Sequence, residues 1–296
     1  MKVYSPSATK TWERCPLLRE AQRAGWHTVV HDYGDLAMIA GDAFSAGMEA
    51  HNLARMSPGE PASVPVVAAQ TLFQERVEHV KASGGRFEFT AKNQEAALVM
   101  EEGLLEALAF TVENDPAPPE WQVVAVEQSL GPEAGYARPD VVYELPPECE
   151  RDESGEQVGC RVVRLTRDYK FKLASDKKYD TERVNEYLAS GQARHYLHFG
   201  HSRYFNPLIV VAKPKPRFVG LTAYLEYDGK MINRWVAGQE GKWQAMHMQE
   251  TGLLPLWESE QHEDKWGRCE MWEACLLYDR DPQRMLNGGY IKIERR

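Results

Sequence analysis

Along the first third of the chain, apolar positions return every three or four residues, the interval of a helix that buries one face. Leu36, Ile39, Ala40, Ala43, Phe44, Gly47, Met48 and His51 follow this interval and predict a helix from about Asp35 to Met56. Ser7 or Thr9 stands where it can cap an earlier helix through Trp12 and the Leu17-Leu18 pair. Two further helices are expected at about Val64 to Ala82 and Ala91 to Asn114. The segment Asp115-Pro116-Ala117-Pro118-Pro119 then ends the helical pattern, because proline lacks the N–H and clashes with the preceding turn.

Beyond that break the period shortens to that of strands. Gln122 to Gln128, Tyr136 to Leu145 and Cys160 to Phe171 read as strands, with an acidic segment from Pro146 to Gly159 as a solvated hairpin connection. A helix from Asp180 to Phe199 is expected next, then strands near Tyr204 to Ala212, Phe218 to Tyr227 and Met231 to Ala237. There is no internal repeat and no low-complexity tract, so one mixed α/β domain over residues 1–296 is the economical reading. Within it, 1–115 is a helical N-terminal portion, 120–240 the core, and 241–296 a C-terminal segment packing on the N-terminus.

A hydrophobic content of 43% in 296 residues supports a substantial core. The longest apolar stretches, such as Leu36 to Ala40 and Pro207 to Ala212, are far shorter than the roughly 18 to 20 residues of a membrane span. No membrane association is expected. Met1-Lys2-Val3-Tyr4-Ser5-Pro6 turns polar at once, unlike a secretory signal, so a cytoplasmic location is expected. A net charge of −9 argues against coating nucleic acid non-specifically but does not exclude DNA as a substrate. Charge is uneven: Arg161, Arg164, Arg167, Lys170, Lys172, Lys177 and Lys178 meet only Asp168 and Asp176, and this run is a place to look for a phosphate backbone. Five cysteines are too few for a disulfide scaffold, and an odd count in a reducing compartment points to free thiols or cluster ligands.

The third strand carries the chemistry. Alternation sends Val163, Leu165, Tyr169 and Phe171 to one face and Arg164, Thr166, Asp168, Lys170 and Lys172 to the other. In the strand before it, Ala137, Pro139, Val141, Tyr143 and Leu145 form the apolar set and Arg138, Asp140, Val142 and Glu144 lie opposite. If the two strands pair as a hairpin, Asp140 and Asp168 can meet round one divalent cation. Phosphodiester hydrolysis needs such a cation, and a lysine two residues along can hold the attacking water or stabilise the pentavalent state.

The order of these features resembles the RecB-like branch of the PD-(D/E)XK nuclease superfamily, which includes CRISPR-associated and phage exonucleases. Tyr4-Ser5-Pro6-Ser7-Ala8-Thr9-Lys10-Thr11-Trp12-Glu13-Arg14-Cys15-Pro16 looks like its opening segment, and Gly47-Met48-Glu49-Ala50-His51 like its G-x-x-x-H helix. Gly135-Tyr136-Ala137-Arg138-Pro139-Asp140 is similar to its G-x-x-D strand, Asp168-Tyr169-Lys170 to its D-x-K strand, and Gln192-Ala193-Arg194-His195-Tyr196 to its Q-x-x-x-Y helix. The resemblance implies a restriction-endonuclease-like mixed sheet flanked by helices, and a DNA exonuclease of recombination or repair in a bacterial or phage-infected cell. It implies that His51, Asp140, Asp168 and the Tyr169 carbonyl hold Mg²⁺ or Mn²⁺, with Lys170 acting on the water. Glu127 corresponds to a further acidic site residue, and Gln192 and Tyr196 to residues lining the DNA backbone or the site.

Many relatives carry an iron–sulfur cluster held by four cysteines. Cys15, Cys269 and Cys275 match three of those places, but Trp266 stands at the fourth, so no cluster is expected and the three read as apolar fillers joining the chain's two ends. Cys149 and Cys160 flank the acidic segment and can face one another. A recombination or repair protein is a candidate partner. The competing reading is a nuclease-fold protein without turnover, acting as a nucleic-acid-binding or assembly factor.

Overall fold

The structure is a computed structural model that describes residues 12–13, 26–28, 33–59, 63–82, 91–128, 138–151, 154, 156–175, 177–253, 263–264, 267–268 and 290–292. Most of the opening motif, Gly135 to Ala137, Cys15, Trp266, Cys269 and Cys275 lie outside the described residues.

Among the described residues three long helices precede the sheet as the periodicity predicts: α1 (Tyr33–Met56), α2 (Pro65–Ala82) and α3 (Ala91–Glu113). Six strands then form a mixed sheet: β2 (Gln122–Val126), β3 (Val141–Arg151), β4 (Gln157–Ala174), β5 (Tyr204–Lys213) and β6 (Arg217–Val219) in that spatial order, with β7 (Leu225–Glu226) also on β5. Neighbours are antiparallel except β4 and β5. A parallel pair needs a crossover, and α4 (Lys177–Ala189) and α5 (Gly191–Phe199) supply it. The expected mixed α/β fold with a helical N-terminal part is therefore present.

Phe44 and Met48 of α1, Phe73 of α2 and Leu104 and Leu108 of α3 are buried against Tyr143, Leu165, Tyr169, Leu208 and Val210 on one face of the sheet. Phe44 stacks on Phe171 with ring centroids 5.6 Å apart. Gly47 permits the α1–α3 approach, since a Cβ there would fall on Leu108 Cδ2 and 3.1 Å from the Pro65 carbonyl. On the other face, Val184 of α4 packs with Ile209 and Val211, and Ala193, Tyr196 and Leu197 of α5 with Phe205.

Five expectations are corrected. The acidic segment is not a long solvated loop, because β3 and β4 run through it to Arg151 and from Gln157. An exposed two-stranded ribbon needs no apolar face, so its polar composition concealed it. Cys149 and Cys160 are cross-strand partners joined by a disulfide, which replaces the expectation of free thiols for this pair. The single helix to Phe199 is two, broken at Ser190, whose extended backbone lets its side chain accept the Ala193 N–H. The strand expected from Phe218 to Tyr227 divides into β6 and β7 around Gly220, whose φ is +87°.

The strand expected at Met231 to Ala237 belongs instead to a helix, α6 (Gly229–Glu250). Asp228 caps it by accepting the Lys230 and Met231 N–H groups, and Ile232, Trp243 and Met246 are its buried apolar positions. Trp12 joins Trp243 and Trp235 there and donates to Gln249 Oε1 at 2.5 Å, while Lys242 pairs with Glu13. The strands β1 (Trp26–Thr28) and β10 (Tyr290–Lys292) pair antiparallel; β8 (Glu263–Asp264) and β9 (Gly267–Arg268) form a separate hairpin. Among the described residues no helix is long and apolar enough to cross a membrane.

Candidate functional site

The site begins with the register of β3 on β4. Val141 is opposite Arg167 and Val142 opposite Thr166, so one step before β3 Asp140 stands across from Asp168. Alternation turns Tyr143, Leu165 and Tyr169 into the helical core and leaves Asp168 and Lys170 on the opposite face. The Asp168 side chain is 3% exposed, and the Lys170 ammonium lies 2.6 Å from its Oδ2. Past the end of the ladder the Asp140 side chain takes a partner's place, accepting the Tyr169 N–H at 2.5 Å. In an extended strand a residue's N–H and C=O point to the same neighbour, which turns the Tyr169 carbonyl toward Asp140.

Glu127 follows β2 in a left-handed conformation, φ 45°, that a residue with a Cβ seldom adopts. Its N–H donates to the Asp140 carbonyl at 3.2 Å. Its own carbonyl accepts from Arg138 Nε at 3.0 Å, and its carboxylate pairs with the same nitrogen at 2.7 Å. The turn is thereby clamped between the Asp140 backbone and the Arg138 guanidinium.

Burial and charge together set the titration of these groups. Burial and then the neighbouring Asp168 push the Asp140 carboxyl well above the usual range, against Lys170 and the Tyr169 N–H. Burial likewise raises Glu127, with Glu49 and Asp168 adding to it and Arg138 opposing. Burial pulls the Lys170 ammonium down, but Asp168 and Asp140 overcome it and hold it above its ordinary range.

From α5, Gln192 Nε2 donates to the Tyr196 hydroxyl at 2.8 Å, and that hydroxyl donates to the Arg138 carbonyl at 3.2 Å. Burial, then Asp168 and Asp140, push the Tyr196 phenol well up. The Tyr187 ring of α4 lies 5.8 Å from Lys170 Nζ.

Among the sequence candidates, Glu127, Asp140, Asp168, Tyr169, Lys170, Gln192 and Tyr196 come together. His51 does not join them: its Nε2 is 2.8 Å from Asp115 Oδ2, which also takes Arg55 Nη1 at 2.6 Å. That cluster lies on the helical side of the sheet, where Arg55 covers the Tyr143 ring and the Tyr143 hydroxyl reaches Asn52 and Tyr169. Glu49 is the α1 residue that acts on Glu127. Successive helical residues turn by about 100°, so Glu49 and His51 face in nearly opposite directions, and the only signal for Glu49 was its position inside the same G-x-x-x-H segment.

The basic run is not one phosphate track. Arg161 pairs with Glu148 at 2.7 Å and Arg164 lies 3.8 Å from Glu144. Arg167 is 1% exposed on the helical side, where its Nε donates to Asn206 Oδ1 at 2.9 Å and its guanidinium covers the Trp121 and Tyr143 rings. Lys170 and Lys172 remain on the site's face.

The donors suit a hard dication: carboxylates and a carbonyl, one carboxyl desolvated and repelled by its neighbours, with a single ammonium to offset them. Among the described residues no three His, Cys, Asp or Glu side chains are gathered round one point as ligands; each carboxylate is instead turned to the partner named above. No family model and no curated protein matches the chain.

Proposed function

We propose that the chain is a metal-dependent deoxyribonuclease of the PD-(D/E)XK type, with a restriction-endonuclease-like sheet, acting as an exonuclease in DNA recombination or repair. The observation that carries this reading is the cross-strand pair Asp140 and Asp168 with Lys170 on the same face, closed at one side by Glu127. Asp140, Asp168 and the Tyr169 carbonyl would hold Mg²⁺ or Mn²⁺, with Glu127 and Glu49 as outer carboxylates. A cation so held offsets the charge of the non-bridging phosphate oxygens and acidifies a water.

Lys170 is fixed by Asp168 and stays protonated, so it can orient the attacking water and donate to the oxygens that gain charge in the pentavalent state. Tyr196, tied to Gln192 and Arg138, walls the site on the α5 side. The test is digestion of end-labelled single- and double-stranded DNA in Mg²⁺, in Mn²⁺ and in EDTA. Cleavage is expected with metal only, and not in D140A. Cleavage that persists in EDTA, or at the same rate in D140A, overturns the proposal.

A further inference from the structure

β5 begins opposite Leu165, and just before it the Arg203 N–H donates to the Arg164 carbonyl at 2.9 Å. Among the described residues, β4 runs on from Val163 back to Gln157 with no parallel neighbour. The chain crosses this gap after α5 through His201, left-handed at φ 46°, and Ser202, whose buried hydroxyl meets that of Thr166 at 2.7 Å. The Tyr227 N–H, just past β7, donates to the Arg203 carbonyl at 2.7 Å and closes the far side. What is left is a cavity of about 550 Å³ with Val163 and Leu197 in its lining. Val163 lies five strand steps, about 16 Å, from Asp168.

The rim of the cavity is charged. Glu148 Oε2 accepts from Arg161 Nε at 3.1 Å, from Arg161 Nη2 at 2.7 Å and from Arg203 Nη1. Two guanidiniums from different elements thus converge on one oxygen, which a side chain of the exposed ribbon supplies. Arg203 turns its other nitrogens to Glu226 Oε1. His198 and His201 face the same cavity, and among the described residues neither imidazole takes a hydrogen bond. They are close enough that His201, after burial, lowers His198. On the wall stand an exposed Tyr227 ring and Val162, an apolar side chain 61% exposed.

We infer that this cavity binds a phosphate monoester with a small apolar body, the phosphate taking the place of the Glu148 carboxylate between Arg161 and Arg203. The inference goes beyond the nuclease reading and does not depend on it. Forked guanidiniums match the several oxygens of a phosphate better than the two of one carboxylate. Each imidazole has an N–H to add, even when neutral. Val162 and Tyr227 give the body of the ester an apolar wall, the mix of surfaces that small-molecule sites show. Glu148 is exposed, and exposed ion pairs are weak, so a phosphate with nearly twice its charge displaces it.

The test is isothermal titration calorimetry of the full chain in EDTA and low salt, with inorganic phosphate and phenyl phosphate as probes. Phenyl phosphate is expected to bind about tenfold more tightly than inorganic phosphate, the effect of burying roughly 55 Å² of ring. Arg161→Gln is expected to weaken it about tenfold or more, through the loss of charged hydrogen bonds. Glu148→Gln is expected to tighten it by up to about fivefold, the weight of the exposed ion pair that no longer competes. Both replaced side chains are exposed, and an unchanged Tm confirms the fold. In wild type, the imidazole proton signals of His198 and His201, identified from H198Q and H201Q, should shift on binding. K170A should bind the probe as wild type does, which separates this cavity from the Asp168 site. A 5′-phosphorylated hexathymidylate should compete poorly, since the cavity holds one small molecule. No binding of phenyl phosphate at millimolar concentration, unchanged affinity in R161Q, weaker binding in E148Q, or loss in K170A overturns the site. Equal competition by the oligonucleotide overturns the assignment to a small molecule.

Discussion

Removing the Asp140 charge is expected to stabilise the metal-free protein while abolishing cleavage. In D140N the side-chain carbonyl still accepts the Tyr169 N–H, so the backbone contact survives. What disappears is a buried carboxylate repelled by Asp168 and Glu127 and offset by Lys170. Cross-strand neighbours stand about 5 Å apart, and two unit charges at that distance repel by about 3 kcal/mol at an effective dielectric near 20. Lys170 cancels a good part, which leaves a gain of about 1 to 2 kcal/mol, or roughly 3 to 6 °C in Tm for a chain of this size.

The gain depends on pH in a set direction. The Asp140 pKa is raised in the folded state, so the native protein binds that proton more tightly than the unfolded chain, and wild-type stability falls as pH rises through the folded pKa. D140N has no proton to lose there. Its advantage should be absent in acid, below the unfolded pKa of about 3.9, and complete above the folded pKa. Thermal melts in EDTA across that range measure it, and added Mg²⁺ or Mn²⁺ should raise the wild-type Tm alone. A D140N protein no more stable than wild type at alkaline pH, or most favoured in acid, would falsify the electrostatic account.

K170A should lower kcat by about 10²-fold or more in saturating Mn²⁺ and, by leaving the buried Asp168 and Asp140 without their ammonium, lower Tm in EDTA; a smaller loss in single-turnover cleavage removes Lys170 from the chemistry. E49Q should cut cleavage by about tenfold and spare the fold, whereas H51A should lower stability by about 1 to 2 kcal/mol through the loss of the Asp115 contact. If H51A shifts the Mn²⁺ preference and E49Q does not, the two roles are reversed. Gly220→Ala forces a Cβ to 2.8 Å from the Pro207 carbonyl at φ +87° and should cost about 2 kcal/mol or more, read as a lower urea midpoint.

The strand bearing Asp168 and Lys170 was legible because one face of it is apolar: alternation alone put Asp168 and Lys170 together and Asp140 opposite. Periodicity does not carry that far on α1, where Glu49 and His51 are two residues apart and only the packing of the helix decides which one looks toward Glu127. Arg167 was misread for a related reason. A basic residue in a basic run reads as surface, and its burial depends on Asn206 from β5 and the Trp121 and Tyr143 rings, partners distant in sequence. The β3–β4 ribbon and α6 were missed because polar strands have no apolar signature, and Met231-Ile232 followed by Trp235-Val236 reads locally as a short apolar run until the helical spacing reaches Trp243 and Met246.

The cluster of like charges is tolerable because the same two strands are held from behind. Tyr143 and Tyr169 join hydroxyls at 3.2 Å, Tyr143 reaches Asn52 of α1, and the buried Arg167 guanidinium covers the Tyr143 ring. These contacts lie on the helical face, alternating along β3 and β4 with the carboxylates on the other. A slip of one residue in the β3–β4 register would exchange the faces, putting Asp168 and Lys170 into the apolar core and Tyr169 into the site. Burial of Tyr143, Leu165 and Tyr169 against α1 and α3 forbids that slip, so the residues that fix the position of Asp140 and Asp168 are largely ones that never touch them.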